Sequence, residues 1–272
     1  MYETTYHRPT SLSEAAQLFS GAADATYISG GHTLLPAMKA RLAGPADVID
    51  LRHVPELKGI QASGDSVTIG AAMTHAQVAQ SADVKKAIST LAALAGTIGD
   101  AHVRHLGTIG GSIANNDPAA DYPAAALALA ATIHTDKRQV PADQFFTGLY
   151  TTSLEPGEIV TRVSFKIPET SGYAKFRNPA SRYPMAGVFV AKHKDGAIRV
   201  TVTGAGNDGV FRWAAAEQAL ASTFSAEALK GLTVEISGMM GDIHGSAEYR
   251  ANLVAVMARR AMQNLGAALA IV

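Results

Sequence analysis

Two short glycine segments contain the residue types best suited to binding a phosphate. The first is SGGHT at residues 29–33, and the second is TIGGS at residues 108–112. Paired glycines remove side-chain bulk and the penalty for positive φ, so successive backbone N–H groups can point into one concavity that suits an anion. The serine and threonine hydroxyls can donate to phosphate oxygens as well. Each double glycine alone is more typical of a tight turn, but two that face each other could hold a diphosphate without lysine or arginine.

The first glycine segment is predicted to lie in a compact unit of strand, turn, helix and strand. Residues 26–28 favour a strand, residues 34–42 are apolar at helical spacing, and residues 47–51 favour another strand. Ahead of this unit, Ser11 and Glu14 have the spacing of a capping box, which predicts the start of a helix there. The helix after the glycines would direct its N-terminus, which has partial positive charge, toward a bound phosphate.

The second glycine segment is predicted to lie between helices. Thr74 and Gln77 have the spacing of another capping box, from which a helix is predicted to run to Ala95. A stretch rich in glycine follows and contains the TIGGS segment. Residues 115–118 then indicate a loop, and residues 119–131 favour a helix by composition.

The remaining segments predict strands and two helices. Residues 66–72 and 159–167 alternate as strands do, the latter with one break in phase. A boundary is predicted at residues 168–172, where Pro, Glu, Thr, Ser and Gly follow one another. Beyond it, residues 187–203 predict a hairpin around an Asp-Gly pair, and two helices with an intervening strand at residues 233–237 complete the chain.

A third glycine motif competes with this interpretation. GAGNDG, residues 204–209, matches the GxGxxG pattern of dinucleotide-binding Rossmann units. The preceding strand, however, alternates apolar and polar residues over 198–203, whereas the first Rossmann strand is covered on both faces and is apolar throughout. That strand is also the second of the predicted hairpin, and too few residues follow Gly209 for a doubly wound sheet. The sequence therefore argues against an NAD site at this motif.

The composition excludes several classes of function. The chain has 272 residues with 23 basic and 23 acidic side chains, so it has no basic excess for binding nucleic acid. It has no apolar run long enough to cross a membrane and no signal-peptide pattern, so a cytoplasmic protein is expected. Cysteine is absent, which excludes disulfides and cysteine-ligated iron–sulfur clusters. Charged residues make up only 17%, which fits either partial coverage by other subunits or simple richness in alanine.

The histidines do not form a recognisable metal-binding or catalytic set. There are nine, and none belongs to an HExxH motif. His102 and His105 could share a helix face, but two histidines without a third ligand indicate a metal site only weakly. The sequence also shows no Ser–His–Asp set and no paired carboxylates of the kind used in hydrolysis. We therefore predict no metal site and no catalytic acid or base.

Together, the glycine segments resemble a known family. SGGHTLLPAMKARL after a strand, and RHLGTIGGSIANNDPAADYPAAALALAA, resemble the two FAD-binding motifs of the flavin (medium) subunits of molybdenum hydroxylases related to carbon monoxide dehydrogenase and xanthine dehydrogenase. The tail segment GAGNDGVFRWAAAEQAL is similar to the small C-terminal domain of these subunits. The resemblance covers the whole chain, and the order and spacing of the motifs agree.

The resemblance implies an α+β fold with two domains. Residues 1–170 would form an FAD-binding domain of the vanillyl-alcohol-oxidase (PCMH) type, with lobes of about residues 1–55 and 56–170 that clamp the cofactor. Residues 171–272 would form a small C-terminal α+β domain of the carbon monoxide dehydrogenase flavoprotein type, which closes over the flavin.

The resemblance also assigns cofactor-binding residues. Those around the FAD pyrophosphate and ribityl chain would be Ser29, Gly30, Gly31, His32, Thr33, Leu34, Thr108, Ile109, Gly110, Gly111 and Ser112. Asp121 would lie near ribityl or ribose hydroxyls, Val160 would contact FAD, and Arg177 would stand where the animal xanthine enzymes have a lysine near the isoalloxazine. From the residues alone, alternatives remain: Asp117 and Asp121 could cap the next helix, Val160 could be core, Arg177 could form a surface ion pair, and Tyr183 could either cover the flavin or simply pack.

The implied function is electron transfer by an FAD-binding subunit of a molybdenum-containing hydroxylase or dehydrogenase. Such an oxidoreductase subunit passes electrons from the iron–sulfur clusters of a partner to an external acceptor. Its partners would be a small iron–sulfur subunit and a large subunit with the molybdenum cofactor, in a heteromer that involves neither nucleic acid nor a membrane span. The alternatives are a stand-alone FAD-dependent oxidase and a non-catalytic assembly protein whose glycine turns are structural. The sequence identifies neither the substrate nor the acceptor.

Overall fold

A computed structural model describes residues 1–271 and shows the predicted mixture of helices and strands. The strands are Thr5–His7 (β1), Ala25–Ile28 (β2), Asp47–Asp50 (β3), Ile60–Ser63 (β4), Ser66–Gly70 (β5), Thr132–Thr135 (β6), Gln139–Pro141 (β7), Phe146–Gly148 (β8), Thr151–Thr152 (β9), Val160–Lys166 (β10), Thr170–Arg177 (β11), Pro184–Lys192 (β12), Ile198–Thr203 (β13), Phe211–Arg212 (β14) and Ala268–Ile271 (β15). The α-helices are Leu12–Gly21 (α1), Leu34–Lys39 (α2), His75–Gln80 (α3), Ala82–Ala87 (α4), Ser89–Gly96 (α5), Ala101–Leu106 (α6), Ile109–Asn115 (α7), Asp121–Ala128 (α8), Ala142–Phe145 (α9), Ala214–Ser222 (α10) and Ala247–Gln263 (α11). They are organised around three main sheets.

The first sheet has the order β1-β3-β2 with parallel strands, and it contains the predicted strand–turn–helix–strand unit. Ser11 caps α1 as predicted, because its hydroxyl accepts from the backbone N–H of Glu14; the Glu14 carboxylate, however, accepts from Thr10 rather than completing a capping box with Ser11. Helix α2 ends earlier than predicted. Arg41 has a positive φ of 60°, and the N–H of Leu42 donates to the carbonyl of Ala37. The side chain of Leu42 is therefore exposed.

The second sheet has the order β4-β5-β10-β6-β7, with antiparallel neighbours. The break in phase seen in the sequence of β10 corresponds to a shift of register between Val160 and Arg162. The predicted capping box of Thr74 and Gln77 is present at the start of α3. The long helix predicted from it is wrong: it is divided into α3, α4 and α5, because the Ser81 hydroxyl accepts from the N–H of Val84 and starts a new helix.

The third sheet has the order β14-β13-β12-β11-β15, antiparallel except for the parallel pair β11 and β15. The hairpin predicted around the Asp-Gly pair is confirmed as β12 and β13. Residues 170–172, within the predicted boundary segment, form the start of β11, since Thr170 already pairs with Lys192. One other prediction here is wrong. Residues 233–237 form no strand, because a short 3-10 turn over Ile236–Gly238 is closed by the N–H of Met239.

Helix α8 lies between the second and third sheets and connects them. All eight of its residues are buried, as expected for a helix that is largely apolar after Asp121. The third sheet bonds directly to its backbone: the Thr201 hydroxyl donates to the Ala124 carbonyl at 2.8 Å, and the Thr203 hydroxyl donates to the Ala120 carbonyl at 2.6 Å. The hydrophobic core that surrounds α8 therefore includes residues of both sheets, such as Phe165 and Phe189.

Candidate functional site

A cleft of about 900 Å³ lies where the three sheets and their helices meet. This volume is near the upper end of the roughly 300–1,000 Å³ of pockets that hold small molecules and cofactors. Both glycine segments predicted from the sequence line it. So do residues of the C-terminal sheet and of α11, which no sequence pattern had placed there; examples are Gly204 and Arg250.

The first glycine segment follows β2 at the edge of the cleft. Gly31 has a φ of 72°, the left-handed conformation that glycine adopts most readily. Gly30 is needed for a different reason. A Cβ there would lie 2.5 Å from the Cα of Gly107 and against the carbonyl of Leu106, so only glycine lets the two chains approach so closely.

The second glycine segment forms the start of α7 and is joined to the first. The Thr108 hydroxyl accepts from the N–H of Gly111 at 3.2 Å, which caps α7, and donates to the Ser29 hydroxyl at 2.9 Å. Gly110 packs against Ala71 with no room for a Cβ. The expectation that paired glycines serve positive φ is therefore wrong for Gly30, Gly110 and Gly111; among the four motif glycines it holds only at Gly31.

Gly111 marks the space between the two segments. A Cβ on it would lie 3.0 Å from the Thr108 hydroxyl and 3.9 Å from Cβ of Ser29. The side chain would thus project into the concavity that both segments share. A cradle that a single Cβ would begin to fill fits a diphosphate, which must approach the backbone closely.

Most of the predicted site residues line this cleft. They are Ser29, Gly30, Gly31, His32, Thr33, Leu34, Thr108, Gly110, Gly111, Ser112, Asp121 and Val160. Two others do not line it. Ile109 is fully buried in the hydrophobic core, so its side chain faces away from the cleft. Arg177 lies at the end of β11, at a register shift opposite Pro184 and away from the cleft wall, and its proposed contact with flavin stays a prediction.

Asp121 is held in a buried cluster beneath the cleft. Its carboxylate accepts from the Lys175 ammonium at 2.8 Å and from the Tyr173 hydroxyl at 2.6 Å, while Lys175 also donates to the carbonyl of Thr97. Burial, followed by the charge of Asp121, raises the pKa of Tyr173.

Asp121 does not cap α8; the Asp117 carboxylate accepts from the N–H of Ala119 instead. Lys175 is not among the residues predicted from the sequence, although a lysine in the largely buried strand β11 indicates an internal partner.

His75, also missed, stands in the cleft wall at the start of α3. It is 5% exposed, and its ring packs on that of Tyr122 with centroids 5.4 Å apart. Burial, helped by the nearby charges of His32 and Arg104, lowers its pKa to about 4, so the imidazole is neutral at neutral pH. Its Nδ1 is buried without a hydrogen-bond partner among residues 1–271.

The C-terminal wall of the cleft contains the buried Arg250. Its guanidinium donates to the carbonyls of Met185 and Gly204 and to the Asp242 carboxylate, each at 2.7 Å. Gly204 in turn donates its N–H to the carbonyl of Pro118, in the loop before α8.

The GxGxxG segment therefore connects the end of β13 with neighbouring loops. Since β13 is antiparallel to β12 and leads to β14 rather than to a helix, the Rossmann alternative is wrong.

An aromatic side chain stands at the rim of the cleft. Tyr150 is 60% exposed, has a φ of 51°, and donates its hydroxyl to the Asp117 carboxylate at 3.2 Å. Asn116, itself in the left-handed region, fixes this loop because its amide donates to the carbonyls of Gly148 and Thr151. The loop of residues 148–151 is therefore tied to the segment that follows α7.

The lining is nearly free of positive charge. Within residues 1–271, Arg250 is the one lysine or arginine that lines the cleft, and carbonyls and Asp242 already engage it. A diphosphate there would be held by backbone N–H groups, hydroxyls and imidazoles. Over the same residues no group of three or more His, Cys, Asp or Glu side chains is arranged to bind a metal, and no helix is long and apolar enough to cross a membrane.

Comparison with known proteins gives consistent matches. Residues 2–170 match the family described as "FAD binding domain in molybdopterin dehydrogenase". The chain is 34% identical to the carbon monoxide dehydrogenase medium chain of Hydrogenophaga pseudoflava, with 94% of this chain and 95% of the relative covered. It is 36% identical to the nicotine 6-hydroxylase medium subunit of Paenarthrobacter nicotinovorans, with 96% and 97% covered. A solved structure of reconstituted CO dehydrogenase from Oligotropha carboxidovorans superposes with a TM-score of 0.88 at 30% identity, covering 97% of this chain and 98% of that one.

Proposed function

The chain belongs to the family of FAD-binding domains in molybdopterin dehydrogenases, and we infer from this membership that it is the FAD-binding, electron-transfer subunit of a molybdenum hydroxylase. FAD is its cofactor, and the assembly it serves is an oxidoreductase. A bound flavin exchanges electrons singly or in pairs, which suits transfer between one-electron clusters and other acceptors. The chain's own residues bind and orient the cofactor, and none needs to act as a catalytic acid or base.

The joining of the two glycine segments is the observation that supports this function most directly. The Thr108 hydroxyl bonds to Ser29, and Gly30 packs on Gly107, so the segments form one continuous wall. That wall is concave at Gly111, where a Cβ would intrude. We assign the FAD diphosphate to this concavity because close-packed glycines and free hydroxyls suit an anion even without nearby lysine or arginine.

The remaining residue roles follow from their places around the cleft. His32, Thr33 and Leu34 would continue the diphosphate wall, with Ser112 on the facing segment. Val160, nearly buried in the lining, would offer an apolar contact. Asp121 would present its one lightly used carboxylate oxygen to a ribityl or ribose hydroxyl, because Oδ1 bonds both Tyr173 and Lys175 whereas Oδ2 bonds Lys175 alone, at 3.1 Å.

The proposed domain division follows the three sheets. Residues 1–170 would be a two-lobed FAD-binding domain of the vanillyl-alcohol-oxidase (PCMH) type, with the first sheet in one lobe and the second sheet in the other. Residues 171–272 would be the C-terminal domain. In support, the parallel first sheet ends at Asp50, the second sheet begins at Ile60, and the third begins at Thr170.

The proposed partners are a small iron–sulfur subunit and a large subunit that carries the molybdenum cofactor. In support, relatives of matching length are named as medium chains or medium subunits, which are members of larger assemblies. The chain has no cysteine to ligate a cluster of its own. We expect substrate oxidation to take place in the large subunit, with this chain transferring the electrons to an external acceptor in the cytoplasm.

The test uses the purified full-length chain. Acid precipitation should release FAD into the supernatant, and the chain should be bleached anaerobically by dithionite but not by the organic or gaseous substrate of the complex. Addition of the two partner subunits should then allow substrate to bleach the flavin. Release of FMN would contradict the diphosphate assignment, whereas bleaching by substrate with this chain alone would indicate a stand-alone oxidase. Absence of any flavin would favour an assembly protein.

A further inference from the structure

We propose that His75 is a further cofactor-binding residue, whose Nε2 donates a hydrogen bond to an oxygen of the diphosphate held between the glycine segments. The proposal rests on the proposed function, because the diphosphate is part of FAD. It adds a side chain from outside both glycine motifs, at the first residue of helix α3.

The hydrogen bonding of His75 is incomplete in a way that points to a ligand. The side chain is 5% exposed and lines the cleft, yet its Nδ1 is buried without a partner and its Nε2 is not hydrogen-bonded to any group within residues 1–271. Buried polar side chains in native proteins are nearly always hydrogen-bonded, and leaving one unpaired costs about 1–3 kcal/mol. A bound cofactor would supply a partner for Nε2, which borders the cleft, while Nδ1 stays enclosed.

The position of the ring relates it to both glycine segments. The backbone N–H of His75 donates to the carbonyl of Gly107 at 2.9 Å, and the preceding Thr74 forms an isolated β-bridge with Thr108. A Cβ on Gly107 would lie 2.6 Å from Nε2 of His75, and one on Gly30 would lie 2.5 Å from Cα of Gly107. The Nε2 edge of the imidazole thus lies beside Gly107, next to the point where the two segments touch, and both residues line the cleft. Gly107 has no side chain to separate Nε2 from the cleft.

The protonation state of the ring makes it a donor. Burial and the charges of His32 and Arg104 lower the pKa of His75 to about 4, so one ring nitrogen carries a hydrogen at neutral pH. With that hydrogen on Nε2, the donor borders the cleft and the enclosed Nδ1 has only a lone pair left unpaired, which is less costly than a buried N–H. Because Arg250 is already engaged, a diphosphate depends on such neutral donors.

Packing on Tyr122 is the alternative explanation for this histidine. The two roles differ in what a substitution changes. A packing residue affects the stability of the protein, whether or not ligand is present. A ligand-binding residue affects the affinity for compounds that contain the diphosphate, and a side chain with a donor at the same place should restore that affinity.

The experiment compares His75→Leu with His75→Gln in the full-length chain freed of FAD. Glutamine places an amide N–H near the position of Nε2, whereas leucine retains only apolar bulk. Flavin fluorescence titration should give a dissociation constant about tenfold or more higher for the leucine variant, and within about threefold of the parent for the glutamine variant, as expected for one hydrogen bond to a charged group. Competition by ADP, which has the diphosphate without the flavin, should show the same loss.

Three outcomes would overturn the proposal while leaving the proposed function intact: equal FAD affinity in the leucine variant and the parent, equal losses in both variants, or a loss with FAD but not with ADP. If the leucine variant does not fold, the proposal is tested by NMR on the parent protein. Its ¹⁵N-labelled His75 Nε2 resonance should move when ADP is added, and an unmoved resonance would contradict the hydrogen bond. A parent chain that binds no FAD at all would instead refute the proposed function.

Discussion

The two walls of the cleft use their polar groups differently. On the N-terminal wall, formed by residues 29–33, 107–112 and His75, several hydroxyls line the cleft, and the Nδ1 of the His75 imidazole is buried without a partner among residues 1–271. On the C-terminal wall, the charged groups bond mainly to the protein: Lys175 bonds Asp121, and the two terminal nitrogens of Arg250 bond Asp242 and two carbonyls, although Nε of Arg250 is buried without a partner among residues 1–271. Proximity to the cleft therefore does not by itself make a polar residue a ligand. What matters is whether its hydrogen-bonding capacity is already used within the protein.

The largest effect is expected from Lys175→Met, on the C-terminal wall. The ammonium is fully buried, and its loss leaves the Asp121 carboxylate with a reduced set of partners in a dry environment. Breaking a buried ion pair by removing one member costs about 3–5 kcal/mol. Urea unfolding of the FAD-free chain should show this loss. The double variant Lys175→Met with Asp121→Leu should recover part of the lost stability. If Lys175→Met alone were as stable as the parent, the buried ion pair would not distinguish the C-terminal wall from the N-terminal wall.

A pH-dependent effect is expected from His75, which is buried although it belongs to the ligand-facing wall. Its pKa is lowered from 6.5 to about 4, so the unfolded chain binds more protons than the folded chain between those pH values. The stability from keeping this ring neutral is complete above about pH 6.5 and is lost progressively as the pH falls toward 4. The full loss is about 3 kcal/mol, at 1.36 kcal/mol per pKa unit.

Unfolding of the FAD-free chain at pH 7 and at pH 4.5 measures this loss. His75→Gln should lose less stability than the parent between the two pH values, because it has no group that titrates there. The neighbours His32 and Arg104 are retained in both proteins, which makes the pair a matched comparison. An identical pH dependence in the two proteins would mean that another group is responsible.

Gly111→Val should weaken FAD binding by about 100-fold, which corresponds to about 2.7 kcal/mol. The new side chain would project between Thr108 and Ser29, where the diphosphate is proposed to lie. The matched change at the C-terminal glycine motif is Gly206→Val, where a Cβ would lie 2.5 Å from the carbonyl of Gly209 and close to the Phe211 ring. That variant should lose about 1–3 kcal/mol of stability through overpacking, while its folded fraction keeps its FAD affinity. The FAD affinities of both variants are measured by flavin fluorescence titration. A greater loss of affinity in Gly206→Val than in Gly111→Val would contradict the site assignment.

The smallest effect is expected from Thr108→Val. This change removes the cap of α7 and the bond to Ser29, and a lost N-cap costs about 0.5–2 kcal/mol. Thr108→Ser keeps the hydroxyl and serves as the control. The melting temperatures of the two variants should differ by several degrees. Equal melting temperatures would show that the hydrogen bonds of the Thr108 hydroxyl contribute little to the stability of the protein.

Local chemistry explains which predictions from sequence succeed. The caps at Ser11 and Thr74 and the hairpin around Asp195 depend on neighbouring residues, so their patterns can be recognised directly. The break in phase of β10 likewise marks a bulge of its own strand. The predicted helix to Ala95 failed because Ser81, a polar residue within an apolar pattern, caps a new helix instead of continuing the old one.

The sequence by itself determined the family, the FAD cofactor and most of the cleft-lining residues of the two glycine segments, because motif order and spacing are properties of the chain. Only the tertiary structure decided what each glycine contributes. It changed the reason from positive φ to close packing at Gly30 and Gly110, and to the open space between the two segments at Gly111. It also brought His75, Lys175 and Arg250 to the site from distant segments. The physical reason is that steric space and hydrogen-bond satisfaction depend on contacts between residues far apart in sequence, which no local pattern encodes.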